Sequence, residues 1–91
     1  MNKEVFPLPP SNSLDLHHFK PSEVKDLIEE FIWSCQEAGI LQCEIIHGKG
    51  MGNMRVLTHT ILRKHSRVKS FHLGGVQNSQ NWGKTSFVLI D

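Results

Sequence analysis

One apolar stripe constrains the fold of this chain more than any other feature. Between Pro21 and Gly39, apolar side chains recur at intervals of three and four residues, which is the spacing of one helix face. Pro21 suits the first position of such a helix, and Gly39 suits the position just beyond its end. The predicted helix buries one face, so it needs a sheet or another helix against it. The stripe consists of Val24, Leu27, Ile28, Phe31, Ile32 and Cys35.

Strand-like segments lie on both sides of this helix. In "SLDLH", residues 13–17, apolar and polar residues alternate, so that Asp15 and His17 share the polar side. "LQCEIIH", residues 41–47, reads as a second and more apolar strand. Because a helix joins them, the two strands are expected to run parallel in one sheet.

The second half of the chain contains another helix and two strands. A helix is predicted over about Asn53 to Lys64, with Asn53 as its N-cap. "RVKSFHL" alternates with a break in phase that suggests a β-bulge, and "KTSFVLI" closes the chain as a strand. The predicted order is βαβαββ. We therefore expect an α/β (α+β) two-layer sandwich with a mixed four-stranded sheet and both helices on one face.

Length and composition indicate one small domain. The chain has 91 residues, of which residues 1–12 are rich in proline and polar residues and are interpreted as an arm. Residues 13–91 form the domain. No apolar run could span a bilayer, and the N-terminus lacks the apolar region of a signal peptide. Cys35 and Cys43 lie in apolar patterns without metal-ligand spacing, so we expect reduced, buried thiols in a cytoplasmic protein.

The charges of the chain are unevenly distributed. Between Ile45 and Ile90 there is no carboxylate. If the basic residues of that stretch share a face, the face would attract phosphates. If they are interspersed in space with the acids of the first helix, the asymmetry has no such consequence. The basic residues of the stretch are Lys49, Arg55, Arg63, Lys64, Arg67, Lys69 and Lys84.

Two histidines lie where the first two predicted strands end. His17 ends the first strand and His47 ends the second, and both strands precede a helix, so both ends lie at the same edge of the sheet. Asp15 shares a side with His17, and Lys49 follows His47 in a glycine-rich turn. We therefore predict that these four residues cluster beside the amino end of the second helix, where free N–H groups favour phosphate.

Each of these features also has a purely structural interpretation. Gly48, Gly50 and Gly52 could serve only the conformation of a turn, and Asp15 and His17 could hold each other in a structural hydrogen bond. The H-G-K-G-x-G spacing matches neither a Walker A loop nor the G-x-G-x-x-G motif. Three further histidines are interpreted as solvated residues: His59, His65 and His72.

Three segments resemble the signatures of the Smr (small MutS-related) domain family. They are "LDLHH" at residues 14–18, "IIHGKGMGNMR" at residues 45–55 and "GKTSFVLI" at residues 83–90. The resemblance spans residues 13–91 and implies a fold like the C-terminal domain of bacterial translation initiation factor three. It also implies nucleic-acid binding, often with nicking of DNA or, in some relatives, cleavage of RNA.

The resemblance implies roles for individual residues. Asp15, His17 and His47 are the implied catalytic residues, and Asp15 could bind a divalent ion such as Mg²⁺ or Mn²⁺. One carboxylate near the site gives little support to a two-metal mechanism. His18 stands where the family has a glycine, which departs from its pattern. The nucleic-acid-binding residues that it implies are Gly48, Lys49, Gly50, Gly52 and Arg55, and the basic stretch adds Lys84 to the predicted set.

Three functions stay open at this point. The chain could be a phosphodiesterase in which His17 or His47 moves a proton while basic residues stabilise the phosphate. It could instead be a module that grips DNA or RNA without cutting it, which His18 favours. In either case we expect a monomer without a membrane partner. A protein adaptor acting through the acidic first helix is the third. Trp82 could stack on an unpaired base, although packing across the sheet edge is the commoner fate of tryptophan.

Overall fold

The six predicted elements occur in the predicted order in a computed structural model, which describes residues 12–50, 52–75 and 82–91. Within these ranges, no helix is both long and apolar enough to cross a membrane. The predicted arm lies outside the described residues except for Asn12, whose carbonyl accepts the Glu44 N–H at 2.8 Å. The elements are β1 Ser13–Asp15, α1 Pro21–Glu37, β2 Gln42–Ile46, α2 Asn53–Lys64, β3 Val68–Leu73 and β4 Lys84–Leu89.

The strands form one mixed sheet in the order β1-β2-β4-β3. β1 and β2 are parallel, as expected for strands joined by a helix. β4 lies between β2 and β3 and is antiparallel to both. The start of β4 therefore lies beside the end of β2, with Thr85 opposite Ile45 and Lys84 opposite Ile46.

Both helices pack on one face of this sheet and contact each other. The stripe of α1 supplies much of the core, and Leu62 is the fully buried apolar residue of α2. Cys35 and Cys43 are buried free thiols, as predicted, whereas the cytoplasmic location inferred from them stays a prediction. The buried apolar residues are Leu16, Val24, Ile28, Ile32, Cys35, Cys43, Ile45, Leu62, Phe87 and Leu89.

Strand alternation decides which side chains face the helices. Residues opposite each other on neighbouring strands share a face, so Ile45 and Thr85 both face the helices. Ile46 and Lys84 point to the other face, and so does Asp15, which is opposite Ile46 in the parallel pair. This division separates residues that are adjacent in the sequence motifs.

Two predicted boundaries were wrong by one or two residues. The residue before α2 that acts as its N-cap is Gly52 rather than Asn53; Gly52 has a φ of 85°, and no side chain caps the helix. β1 ends at Asp15 rather than at His17, because Asp15 Oδ1 accepts the His17 backbone N–H at 2.9 Å and the chain turns there.

Candidate functional site

The loop after β2 is held against the start of β4. The backbone N–H groups of His47 and Gly48 both donate to the Gly83 carbonyl, at 3.0 and 2.9 Å. Gly48 has a φ of 82°, a conformation that glycine adopts without a steric penalty. Lys49 follows with an exposed side chain. The loop therefore fixes the position of His47 and leaves the lysine in solvent.

His47 meets two residues that were not assigned a role from the sequence. His47 Nε2 lies 2.7 Å from Thr85 Oγ1, and His59 Nε2 from α2 lies 2.6 Å from the same oxygen. The two imidazoles are edge to face with centroids 6.1 Å apart, and His59 also lies against Phe71 at 5.0 Å. We call His47, Thr85 and His59 the His–Thr–His group.

The prediction that His59 is solvated was wrong, because its side chain is half-buried and hydrogen-bonded. A signal for this was present in the sequence. His59 lies four residues after Arg55 and three residues before the core residue Leu62, which is the spacing of one helix face. The other two histidines differ from it: His72 is exposed, and the ring of His65 accepts the Arg67 N–H.

Burial and nearby cations act on both imidazoles of the group. Desolvation lowers the pKa of His47, and the Arg55 charge adds to this, while the hydrogen bond to the Gly48 carbonyl acts in the opposite direction. Desolvation likewise lowers the pKa of His59, helped by His47, Arg55 and Arg63. Both rings are therefore neutral near pH 7.

Arg55 lies in the first turn of α2, directly over the glycine loop. A Cβ atom added at Gly52 would be 2.9 Å from a guanidinium nitrogen of Arg55. The first turn of α2 contains no acidic residue, and its N-cap, Gly52, has no side chain that could accept a hydrogen bond from the helix N–H groups. The structure thus brings Arg55 and His47 together at a helix end with a positive potential, which suits an anion.

Asp15 and His17 form a separate, exposed pair. His17 Nδ1 lies 3.4 Å from Asp15 Oδ1, with 66% of the histidine side chain and 56% of the aspartate side chain accessible to solvent. His18 follows, with its ring centroid 6.0 Å from that of His17. Within the described residues, neither member of the pair contacts His47. The expected single cluster is therefore divided into two groups, because Asp15 is opposite Ile46 and points to the other face.

Lys84 lies on the same face as Asp15 and already has a partner. Its Nζ lies 3.3 Å from Glu44 Oε2, an oxygen that also accepts the Ser13 hydroxyl at 3.1 Å. Glu44 is the last acidic residue before the carboxylate-free stretch and offsets the lysine charge. The assignment of Lys84 to nucleic-acid binding stays a prediction, and this pairing weakens it.

Trp82 precedes Gly83 at the start of β4, and 62% of it is accessible to solvent. The expectation that it packs across the sheet edge is therefore wrong. Its ring is exposed to solvent next to Gly83, whose carbonyl accepts the hydrogen bonds of the His47 loop. Stacking on an unpaired base stays a prediction for this side chain.

A divalent ion would find few protein ligands at these positions. In the part of the chain that the structure describes, no three His, Cys, Asp or Glu side chains are grouped to hold a metal ion. At Asp15, an ion would meet one carboxylate and the adjacent imidazole of His17, and waters or a substrate phosphate would have to supply the remaining ligands. The involvement of Mg²⁺ or Mn²⁺ stays a prediction.

Comparison with known proteins finds one family. The Smr domain model matches residues 14–90. The chain is 36% identical over 64 residues to endonuclease MutS2 of Halothermothrix orenii and 33% identical over 81 residues to ribosome rescue factor SmrB of Shewanella baltica. These matches include 70% and 89% of this chain but only 8% and 44% of those proteins. The chain therefore spans less than half the length of either relative.

Two solved structures have the same fold. The Smr domain of Thermus thermophilus MutS2 superposes with a TM-score of 0.78 at 24% identity, over 87% of this chain and 98% of that one. YdaL, a stand-alone small MutS-related protein from Escherichia coli, also gives 0.78, at 22% identity, over 91% of this chain and 67% of that one. The predicted arrangement of two helices on a mixed four-stranded sheet is thereby confirmed.

Proposed function

Because the chain belongs to the Smr domain family, we propose that it binds the phosphate backbone of DNA or structured RNA and cleaves a phosphodiester bond there. The observation that carries the proposal is that Arg55, in the first turn of α2, lies near His47 and near His59, which is further along the same helix. Neutral imidazoles can accept a proton, and a permanent cation beside helix N–H groups can hold an anion. The proton-accepting imidazoles and the anion-binding groups are therefore adjacent.

In this proposal the residues have distinct tasks. Arg55, Lys49 and the N–H groups of α2 hold the phosphate and stabilise the charge that develops on it. His47 is part of the group that moves the proton. The exposed Asp15–His17 pair provides either a second acid–base pair or part of the binding site of a divalent ion. A strand of nucleic acid lying across the ends of β1 and β2 would contact both groups.

The distribution of charge supports a polyanionic ligand. α2 carries no acidic residue, and it ends with Arg63 and Lys64. The stretch between Ile45 and Ile90 contains no carboxylate. A phosphate backbone that approaches this stretch would meet little repulsion. The names of the relatives, an endonuclease and a ribosome rescue factor, are a reason to test both DNA and RNA.

A cleavage assay tests the proposal. Supercoiled plasmid and structured RNA are incubated with the protein, with and without Mg²⁺ or Mn²⁺. Loss of an acid–base group should slow cleavage about a hundredfold, so we expect that effect from His47→Ala and from Asp15→Ala. His72→Ala is the matched control, because His72 is exposed on β3 and is opposite Ser86 rather than Thr85, so its side chain points away from the His–Thr–His group. Cleavage that survives both site substitutions would remove the catalytic proposal.

A second candidate is a module that binds nucleic acid without cutting it. Two observations favour it. Both ring nitrogens of His47 are hydrogen-bonded within the protein, to the Gly48 carbonyl and to Thr85, so neither is free to meet a substrate. His18, where the family has a glycine, adds an exposed side chain beside the Asp15–His17 pair.

The salt dependence of binding tests this candidate. Each lost phosphate contact should lower the slope of log affinity against log salt by about one, so we expect that change from Lys49→Ala and from Arg55→Ala. Lys25→Ala is the matched control, because Lys25 is an exposed cation on α1. Affinity that does not respond to salt, or the absence of binding to any nucleic acid, would contradict it.

A further inference from the structure

The Gly48 carbonyl fixes the direction of hydrogen bonding in the His–Thr–His group. A carbonyl oxygen only accepts, so His47 Nδ1, 3.0 Å from that oxygen, carries a hydrogen. In the neutral ring, Nε2 then has no hydrogen and carries a lone pair, and the Thr85 hydroxyl donates to it at 2.7 Å. Because a hydroxyl has one hydrogen, Thr85 Oγ1 must accept the second bond, from His59 Nε2–H at 2.6 Å.

The far end of this chain of hydrogen bonds is open. With its hydrogen on Nε2, neutral His59 has a lone pair on Nδ1, and among the described residues this nitrogen has no hydrogen-bond partner. His59 is half-buried, whereas Thr85 is fully buried in a central strand. The threonine oxygen is thus held in place by the sheet.

We propose that His59 Nδ1 is the proton-exchange site of the group and that Thr85 relays protons between His59 and His47. The proposal rests on the proposed function. A proton taken up at His59 Nδ1 allows the Nε2 proton of His59 to pass to Thr85 Oγ1. The hydroxyl proton of Thr85 passes in turn to His47 Nε2. One proton enters, His59 ends neutral with its hydrogen on Nδ1, and His47 ends as the imidazolium.

The charged groups around the relay link it to the phosphate site. Arg55 and Arg63 of α2 both act on His59, and Arg55 also acts on His47. Phe71 of β3 covers the His59 ring without adding charge, and the side chain of Lys49 in the loop is exposed. Arg55, Arg63 and Lys49 are all cations, so a positive His47 is disfavoured until an anion binds. Phosphate binding should therefore promote proton uptake by the group.

Nuclear magnetic resonance can read the predicted tautomers directly. With ¹⁵N-labelled histidine, long-range ¹H–¹⁵N correlations near neutral pH should show His47 protonated on Nδ1 and His59 on Nε2. Any other tautomer of either ring would overturn the relay. This measurement needs no activity and no ligand, so it is independent of the proposed function.

Two substitutions of Thr85 test its part in the relay. Thr85→Ser keeps the hydroxyl, so we expect both tautomers to be retained. Thr85→Val keeps the shape and removes the hydroxyl, so His59 should lose its preference while His47, still bonded to the Gly48 carbonyl, should keep Nδ1–H. A His59 ring unchanged by Thr85→Val would overturn the proposal. If the valine variant does not fold, the tautomers of His47 and His59 in the native protein and in Thr85→Ser still test the proposal.

His59→Gln tests proton transfer itself. A glutamine amide can still donate to Thr85 Oγ1 but cannot take up a proton near neutral pH. We expect kcat for cleavage to fall about a hundredfold with a much smaller change in KM. An unchanged kcat would overturn the relay. Correct tautomers in a native protein that cleaves nothing would overturn only the catalytic function, whereas wrong tautomers in a protein that cleaves would overturn only the relay.

Discussion

Gly52 has a φ of 85° just before α2, and Arg55 lies where a side chain on this residue would project. Gly52→Ala would place an L-residue in the left-handed region at a cost of about 1–2 kcal/mol. The new methyl group would also stand 2.9 Å from the guanidinium and displace it. We therefore expect urea unfolding to show a loss of about that size, together with weaker binding to nucleic acid.

Gly50→Ala is the control for this prediction. Gly50 is in the same loop, its φ is not positive, and an added Cβ would meet nothing within 4 Å. Replacing a flexible glycine without strain should leave the free energy of unfolding unchanged or raise it by up to about 1 kcal/mol. Equal losses from the two substitutions would contradict the account of the Gly52 backbone.

Individual residues of the site were only partly predictable from the sequence. His47 and Arg55 follow from the H-G-K-G segment and the helix after it, and the structure brings them together. His59 and Thr85 lie 26 positions apart and meet only because β4 pairs with β2 in one register. A shift of one residue would turn Lys84 rather than Thr85 toward His47. Local patterns do not specify that register.

At the level of secondary structure, spacing predicted the elements well but not their neighbours. The stripe of α1 gave both its extent and its buried face. The broken alternation of the third strand corresponds to a register shift between Val68 and Ser70. The interior position of β4 was not predicted, because side-chain periodicity tells which face is buried and carries no information about which strand lies alongside. That position is what brings Thr85 next to His47.

α2 contains one polar group whose replacement should stabilise the protein. Thr58 is fully buried, and its hydroxyl has no hydrogen-bond partner among the described residues. Thr58→Val has nearly the same shape and removes the desolvation penalty of an unpaired hydroxyl, so we expect a gain of about 1 kcal/mol in the free energy of unfolding.

Thr60→Val in the same helix is the comparison for Thr58→Val. The Thr60 hydroxyl donates to the Val56 carbonyl at 2.9 Å, so its removal should bring no gain. Thermal unfolding of the two variants measures the difference. A lower melting temperature for Thr58→Val than for the native protein would indicate that the hydroxyl has a partner, such as a buried water.

At the scale of the whole molecule, the two half-buried imidazoles should make stability depend on pH. The folded chain holds the pKa of His47 and of His59 below the ordinary value of 6.5. At a pH between the pKa of these histidines in the folded chain and their ordinary pKa, the unfolded chain therefore binds more protons than the folded one. The free energy of unfolding should be fully retained above pH 6.5 and should decrease as the pH falls below it.

Urea unfolding between about pH 7.5 and pH 5.5 measures this slope, and this range stays above the ordinary pKa values of carboxylates. His59→Gln removes one of the two groups and should flatten the curve, whereas His72→Gln, at an exposed position on β3, should leave it as it is. A level curve for the native protein would contradict the burial of the two rings.

A short oligonucleotide bound beside Arg55 would supply the missing negative charge, so its presence should reduce the slope for the native protein and less so for His59→Gln. That difference would show that proton uptake and phosphate binding occur at one site.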